Sequence, residues 1–180
     1  MIGLKSYLPK LETLTGLTRE VLYERQRALV KCGALEAQPG RGPGSGVRAD
    51  ARSVSVFLIS LLSHDTLVDA SKAIDFGRLK SDVGRCDLTD KFYFKDVLEA
   101  ILSNERIAEK VWAVIVQREQ QSASIQFRGR HLKYATSGFA TRAIVRVPKL
   151  MIEPSITATL SKNFILQVAK DIAEFSEETK

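Results

Sequence analysis

The chain has 180 residues, of which 44% are hydrophobic and 27% charged, so it is long enough for one or two folded domains and is not intrinsically disordered. Its net charge of +6 is concentrated in residues 1–60 and 117–150, which favours a polyanionic partner, although solubility alone would also explain it. Two isolated cysteines, no signal-peptide pattern and no membrane-length apolar run predict a cytoplasmic protein without a membrane partner.

Two helices separated by a glycine turn are predicted first. Pro9 fits the first turn of a short helix, where its missing N–H costs nothing. One side of this helix is apolar and carries Leu8, Leu11 and Leu14. Gly16 allows the turn, and Thr18 is placed to cap a second helix that ends at Gly33. This order and spacing are typical of a helix-turn-helix.

The second helix has an apolar stripe and a basic one. We expect four apolar side chains to face inward: Val21, Leu22, Ala28 and Leu29. The basic stripe recurs every four residues and consists of Arg19, Tyr23, Arg27 and Lys31. A solvated helix face with i,i+4 charge pairs would have the same composition.

In a major groove, the two ends of this helix would have different roles. Arginine can pair with guanine through two hydrogen bonds, and tyrosine can contact phosphate or a thymine methyl. We expect the residues near the helix start to approach base edges: Thr18, Arg19, Glu20 and Tyr23. Arg27 and Lys31 lie further along and would contact phosphates.

A glycine-rich segment follows. Residues 34–37 and 47–49 are predicted short strands, and the sequence PGRGPGSG lies between them. A strand, loop and strand after such a helix form a wing, in which Arg41 and Arg48 would contact the minor groove or the backbone. The segment has neither the P-loop motif nor the G-x-G-x-x-G fingerprint of nucleotide sites, so a flexible linker is the remaining alternative.

The stretch LETLTGLTREVLYERQRALVKCGALEAQPGRGPGSGVR resembles the DNA-binding domain of winged helix-turn-helix transcriptional regulators of bacteria and their phages. The similarity lies in T-G-L-T-R-x-x-L-Y, the following G-x-L and the Gly/Arg loop, and covers about a quarter of the chain. It implies a regulator that binds double-stranded DNA. A homodimer is expected because one winged helix contacts few base pairs.

Three further helices are expected in the middle of the chain. The first is capped by Asp50 and is apolar on most sides, which predicts burial between layers or subunits. After the last, Ser103 or Asn104 can cap a short helical turn. The three helices cover residues 51–62, 66–76 with Gly77 as C-cap, and 92–102, and the polar stretch 78–90 is a predicted loop or boundary.

The last third predicts a small α+β module. Strands are expected at residues 111–116, 124–127 and 142–147, with a connection at 119–122 and a final helix at 156–175. This region contains the second group of basic residues: Arg118, Arg128, Arg130, Lys133, Arg142, Arg146 and Lys149. They can form a solvated sheet face, add phosphate contacts, or bind an anionic effector or an acidic partner.

Neither histidine has metal-ligand spacing. His64 is expected at a helix start and His131 at a surface or hairpin-loop position. Cys32 and Cys86 are expected to be structural rather than nucleophilic. The sequence therefore predicts no catalytic residue, no metal and no cofactor, and the protein is not expected to be an enzyme.

These patterns predict an α+β protein in three parts. Residues 1–62 form a winged helix-turn-helix DNA-binding domain, residues 63–104 a helical connecting region, and residues 105–180 a dimerisation or effector module. That module would receive a small-molecule or protein effector. The predicted DNA-binding residues are Thr18, Arg19, Glu20, Tyr23, Arg27, Lys31, Arg41 and Arg48. The alternatives are a phage or mobile-element protein whose winged helix binds another protein, and a DNA-bending recombination accessory factor.

Overall fold

The computed structural model describes residues 2–40, 46–81, 84–127, 130–135 and 157–177. The helices in these ranges are α1 Leu4–Thr15, α2 Arg19–Lys31, α3 Ala51–Ser63, α4 Lys72–Gly77, α5 Phe94–Leu102, α6 Glu105–Ala108 and α7 Lys162–Glu177. The strands are β1 Lys80–Ser81, β2 Val111–Gln117, β3 Ser122–Phe127, β4 Arg130–Ala135 and β5 Thr157–Ser161. This mixture of helices and antiparallel strands confirms the predicted α+β class.

The strands form one sheet in the order β1-β4-β3-β2-β5, and each neighbouring pair is antiparallel. In the centre of the sheet, Val114 pairs with Ile125 on one side and with Leu160 on the other. All three side chains are buried, and both α3 and α7 contact β2. The core therefore lies between the sheet and these helices.

The first and last helices share this core. The Tyr7 hydroxyl in α1 donates a hydrogen bond of 2.9 Å to Asp171 Oδ2 in α7, and the Tyr7 and Phe175 rings meet edge to face at 5.3 Å. Lys10 Nζ lies 3.2 Å from Asp171 Oδ1. Burial, followed by the neighbouring Asp171 charge, raises the pKa of Tyr7. The first helix is thus packed directly against the last one.

Several helix ends lie where the sequence predicts them. Gly16 has a φ of +71°, a left-handed conformation that glycine adopts without steric cost. The Thr18 hydroxyl accepts from the Val21 N–H at 3.5 Å, and Asp50 Oδ1 accepts from the Ser53 N–H at 2.7 Å. Asn104, one of the two candidate caps, accepts from the Ile107 N–H at the start of α6. Each of these helix ends is fixed by a contact between residues only three or four positions apart, so the local sequence is enough to predict it.

The second of the three middle helices is shorter than predicted. α4 begins at Lys72, and the residues before it form bends and turns in which the Thr66 hydroxyl donates to Asp69 Oδ2 at 2.7 Å. Local side-chain bonds of this kind compete with helix formation. Gly77 is the last residue of α4 and not its cap. A Cβ at Gly77 would lie 3.3 Å from the Lys95 Cβ, so the glycine allows α4 to approach α5.

The strand predictions need five corrections. Residues 78–90 include β1 as well as loop, and β3 begins at Ser122 inside the predicted connection. His131 lies in β4, a strand that the sequence analysis did not predict. Residues 157–161 form β5 against β2 rather than the first turns of the last helix. Residues 34–37 and 47–49 do not form continuous strands, since only isolated bridges occur near them. The predicted strand 142–147 lies outside the described residues.

Candidate nucleic-acid interface

The inward face of α2 differs from the prediction. Leu22 and Leu29 are fully buried, as expected, but so is most of the surface of Arg25 and Gln26. The prediction that Val21 faces inward is wrong, because its side chain is 45% exposed. Successive helical residues are rotated by about 100°, which moves Val21 off the face that Leu22 buries. Val21 therefore adds an apolar side chain to the exposed first turn of α2, next to Arg19 and Glu20.

The predicted α2 residues are accessible. Thr18, Arg19, Glu20, Arg27 and Lys31 are exposed, whereas Tyr23 is half-buried. Because each step of four residues turns the stripe by about 40°, the basic stripe winds around the helix instead of running straight along it. Acidic side chains share this surface with the basic ones: Glu20 is next to Arg19, and Glu24 pairs with Arg27.

Two of these side chains differ in how freely they can reach a ligand. Arg27 Nη1 lies 3.0 Å and 3.3 Å from the two carboxylate oxygens of Glu24, so its charge is partly neutralised. The Arg19 backbone N–H donates to Glu12 Oε1 at 3.1 Å, which ties the start of α2 to α1. Within the part of the chain that the structure describes, the Arg19 side chain makes no ion pair. Arg19 therefore carries a positive charge that no described carboxylate neutralises.

Lys5 belongs to the same surface. Its Nζ lies 5.0 Å from the centroid of the Tyr23 ring, a cation–π distance that joins α1 to α2. Lys5 is exposed and places an ammonium group over the Tyr23 ring. Lys5 precedes the predicted first helix, which has Pro9 in its first turn, whereas α1 begins at Leu4 and contains Pro9 in its interior.

The glycine-rich segment returns to α1. Gln38 and Gly46 exchange two backbone hydrogen bonds of 2.9 Å, which brings the two sides of the segment together. The Leu4 N–H then donates to the Val47 carbonyl at 2.7 Å, and Gly3 bridges to Arg48. Arg48 is exposed, and Arg41 lies outside the described residues. The segment of residues 38–48, called the arm below, is therefore joined to Gly3, which is two residues before Lys5 in the chain.

A shallow cleft of about 130 Å³ lies between this arm and the start of α3. Its lining includes Arg48 and Arg52, but also Glu36 and the capping carboxylate of Asp50. Because both charge signs are present, the cleft by itself does not select an anion. Among the described residues, no group of three or more His, Cys, Asp or Glu side chains is arranged to hold a metal ion.

The Ser63–His64 pair lies on the buried side of α2, where the His64 carbonyl accepts from Arg25. The prediction that His64 starts a helix is wrong, because it follows the last residue of α3. Its Nδ1 lies 2.8 Å from the Ser63 hydroxyl, and both residues are buried. Burial keeps this pair away from a substrate. In the described ranges, no helix is both long and apolar enough to cross a bilayer.

Comparison with protein-family models, curated proteins and solved structures gives no significant match.

Proposed function

We propose that this protein is a sequence-specific regulator of transcription that binds double-stranded DNA through a winged helix-turn-helix, with α2 in the major groove. The observation that carries the proposal is the exposed start of α2, where a capped helix presents Arg19 without a carboxylate partner among the described side chains. Lys5 and Arg48 add positive charge on the neighbouring segments. An exposed helix with arginine near its first turn is suited to contacts with base edges.

The arm at residues 38–48 would act as the wing. Its two sides meet at Gln38 and Gly46, and its return is hydrogen-bonded to the start of α1. Arg48 would contact the DNA backbone, as would Arg41. We expect a homodimer on the DNA, because one recognition helix contacts few base pairs and two half-sites multiply the discrimination.

Selection from random duplexes tests this function directly. The purified chain should enrich one motif with two related half-sites, and its affinity should fall as salt rises. Arg19→Ala should reduce the preference for the enriched motif by about 5- to 150-fold, the range for one bidentate base contact. Lys31→Ala should weaken binding to all duplexes and lower the salt slope by about one. Arg106→Ala, which changes an exposed arginine of α6, is the control. Absence of binding to any duplex at low salt contradicts the proposal.

A second candidate is a protein-docking role for the same surface. The observation that favours it is the mixed character of α2, where Glu20 and Glu24 alternate with basic side chains beside the exposed Val21. Interfaces between proteins tolerate such mixtures, whereas phosphates are repelled by carboxylates. Double substitution Glu20→Gln and Glu24→Gln separates the two roles. It should strengthen binding to DNA of any sequence, and it should weaken binding to a basic protein partner.

A further inference from the structure

A buried arginine on the inner face of α2 is hydrogen-bonded to the end of α3. Arg25 is only 4% exposed. Its Nη1 donates to the Ser60 carbonyl at 2.9 Å and to the His64 carbonyl at 3.1 Å, and its Nη2 donates to the Asp65 carbonyl at 2.9 Å. The last carbonyls of a helix have no partner within the helix and carry partial negative charge. Arg25 therefore caps α3 from a position on α2.

A second arginine reaches the same helix end from the sheet. Arg118 directly follows β2, and its Nε donates to the Leu62 carbonyl at 2.8 Å. Its Nη2 lies 3.3 Å from the Leu61 carbonyl, and its Nη1 forms an ion pair with the Asp65 carboxylate. We call Arg25, Asp65 and Arg118 the arginine clasp. Through the arginine clasp, α2 and the end of β2 are both hydrogen-bonded to backbone carbonyls of residues 60–65 at the end of α3.

The clasp holds two positive charges at one helix end, where Arg118 pairs with the Asp65 carboxylate and Arg25 donates to the Asp65 backbone carbonyl. Burial lowers the pKa of Arg25, while the Asp65 charge opposes that effect and Arg118 adds to it. The hydrogen bond from Arg118 lowers the pKa of Asp65. A buried charge is costly to desolvate, and the hydrogen bonds from Arg25 to three carbonyl groups offset part of that cost. What an apolar residue cannot do is fix direction, because it makes no hydrogen bond to the three carbonyls.

We propose that Arg25, Asp65 and Arg118 are positioning residues that set the orientation of α2 relative to the C-terminal sheet. A change at the Arg118 end of β2 would then loosen or turn α2, although the described partners of the Arg118 side chain lie at the end of α3 and not in α2. This positioning role does not depend on which ligand α2 binds. The consequence for base recognition rests on the proposed function.

Amide hydrogen exchange on the full chain tests whether the arginine clasp holds α2 in place. Arg118→Gln removes the charge on the sheet side while leaving α2 itself unchanged. Amides in residues 19–31 should exchange at least about ten-fold faster, the factor expected when one charged hydrogen bond is lost. Amides of α7 should keep the wild-type rate. Lys170→Gln, which breaks a 3.7 Å ion pair between α7 and Glu105 of α6, is the matched control and should leave residues 19–31 unaffected. Faster exchange confined to the end of α3 overturns the proposal.

Substitutions of Arg25 separate orientation from stability. Arg25→Met keeps most of the volume without a buried charge but leaves three carbonyl groups without their donor, so its melting temperature should fall, and its DNA binding is compared with that of the wild type at a temperature where both are folded. Its preference for the selected DNA motif over random duplex should fall about ten-fold or more, and exchange in α2 should rise. Arg25→Lys should behave like Arg25→Met, because one ammonium group cannot reproduce the arginine fork. Wild-type preference and exchange in both variants would overturn the proposal.

The two proposals fail in different ways. If the wild-type chain binds no duplex, the regulator function is refuted, and the exchange rates of α2 still decide whether the clasp positions it. If the chain binds DNA but Arg118→Gln alters neither α2 exchange nor sequence preference, the clasp proposal is refuted and the function stands.

Discussion

The stability of this protein should fall in mildly acidic solution because of one histidine. His64 follows α3 and is 4% exposed. Burial, reinforced by the nearby Arg25 charge, lowers the pKa of His64 from 6.5 to about 4. Its Nδ1 is close to the Ser63 hydroxyl, and its Nε2 is buried without a hydrogen-bond partner in the described part of the chain. The folded protein therefore keeps this imidazole neutral at a pH where the unfolded chain protonates it.

The pH dependence of the free energy of unfolding follows from linkage between proton binding and folding. Because the unfolded state binds the proton more readily, protonation favours unfolding as the pH falls below 6.5. The stabilising contribution is present in full above pH 6.5 and is lost as the pH falls towards the folded-state pKa of about 4. With these two pKa values, the free energy of unfolding should decrease by about 2 kcal/mol between pH 7 and pH 5 from His64 alone.

Urea denaturation of the wild type and His64→Gln at pH 7, 6 and 5 measures this loss. Glutamine keeps a polar side chain beside Ser63 but does not titrate, so the difference between the two proteins isolates His64. His131 and the carboxylates are present in both, and their contributions cancel. The wild type should lose about 2 kcal/mol more than His64→Gln over this range. Equal losses in the two proteins would show that His64 is not held neutral by the fold.

Two other substitutions have defined outcomes. Tyr7→Phe removes the hydrogen bond to the buried Asp171 and should lower the free energy of unfolding by about 1.5–3 kcal/mol. Tyr93→Phe at an exposed position should change it by less than about 0.5 kcal/mol, and equal effects would contradict the argument. Under the proposed function, the exposed Val21 in the first turn of α2 would lie close enough to base edges to contact a thymine methyl, and replacing that thymine by deoxyuridine should weaken wild-type binding about four-fold. Val21→Ala should lose this dependence in fluorescence anisotropy, and an unchanged dependence would exclude the contact.

The sequence predicts the local features of this fold better than the distant ones. Thr18 and Asp50 are recognisable as caps because the N–H groups they bind are three residues away. β5 is different. The alternation in residues 157–161 also fits the start of the helix that follows, and only the pairing with β2 favours a strand. That pairing joins segments about forty residues apart, which local periodicity does not detect.

The candidate site shows the same limit. The exposed positions of Arg19, Arg27 and Lys31 follow from helical spacing and agree with the structure. Arg25 lies between Leu22 and Leu29 on the buried face, where a charged residue is rarely expected without a partner. Its partners are backbone carbonyls 35 to 40 residues further along the chain. Carbonyl groups leave no signature in sequence, so this contact becomes visible only in three dimensions.

The contact between α1 and α7 also affects how the chain is made. Tyr7 and Asp171 are separated by 164 positions, so the first helix is synthesised long before its partner exists. At ribosomal rates of about 5–20 residues per second, Tyr7 is synthesised roughly ten to thirty seconds before Asp171. During that interval α1 can pack only against segments that have already been made, and α2 is the first of these that contacts it. The final packing step can occur only when α7 has left the ribosomal tunnel.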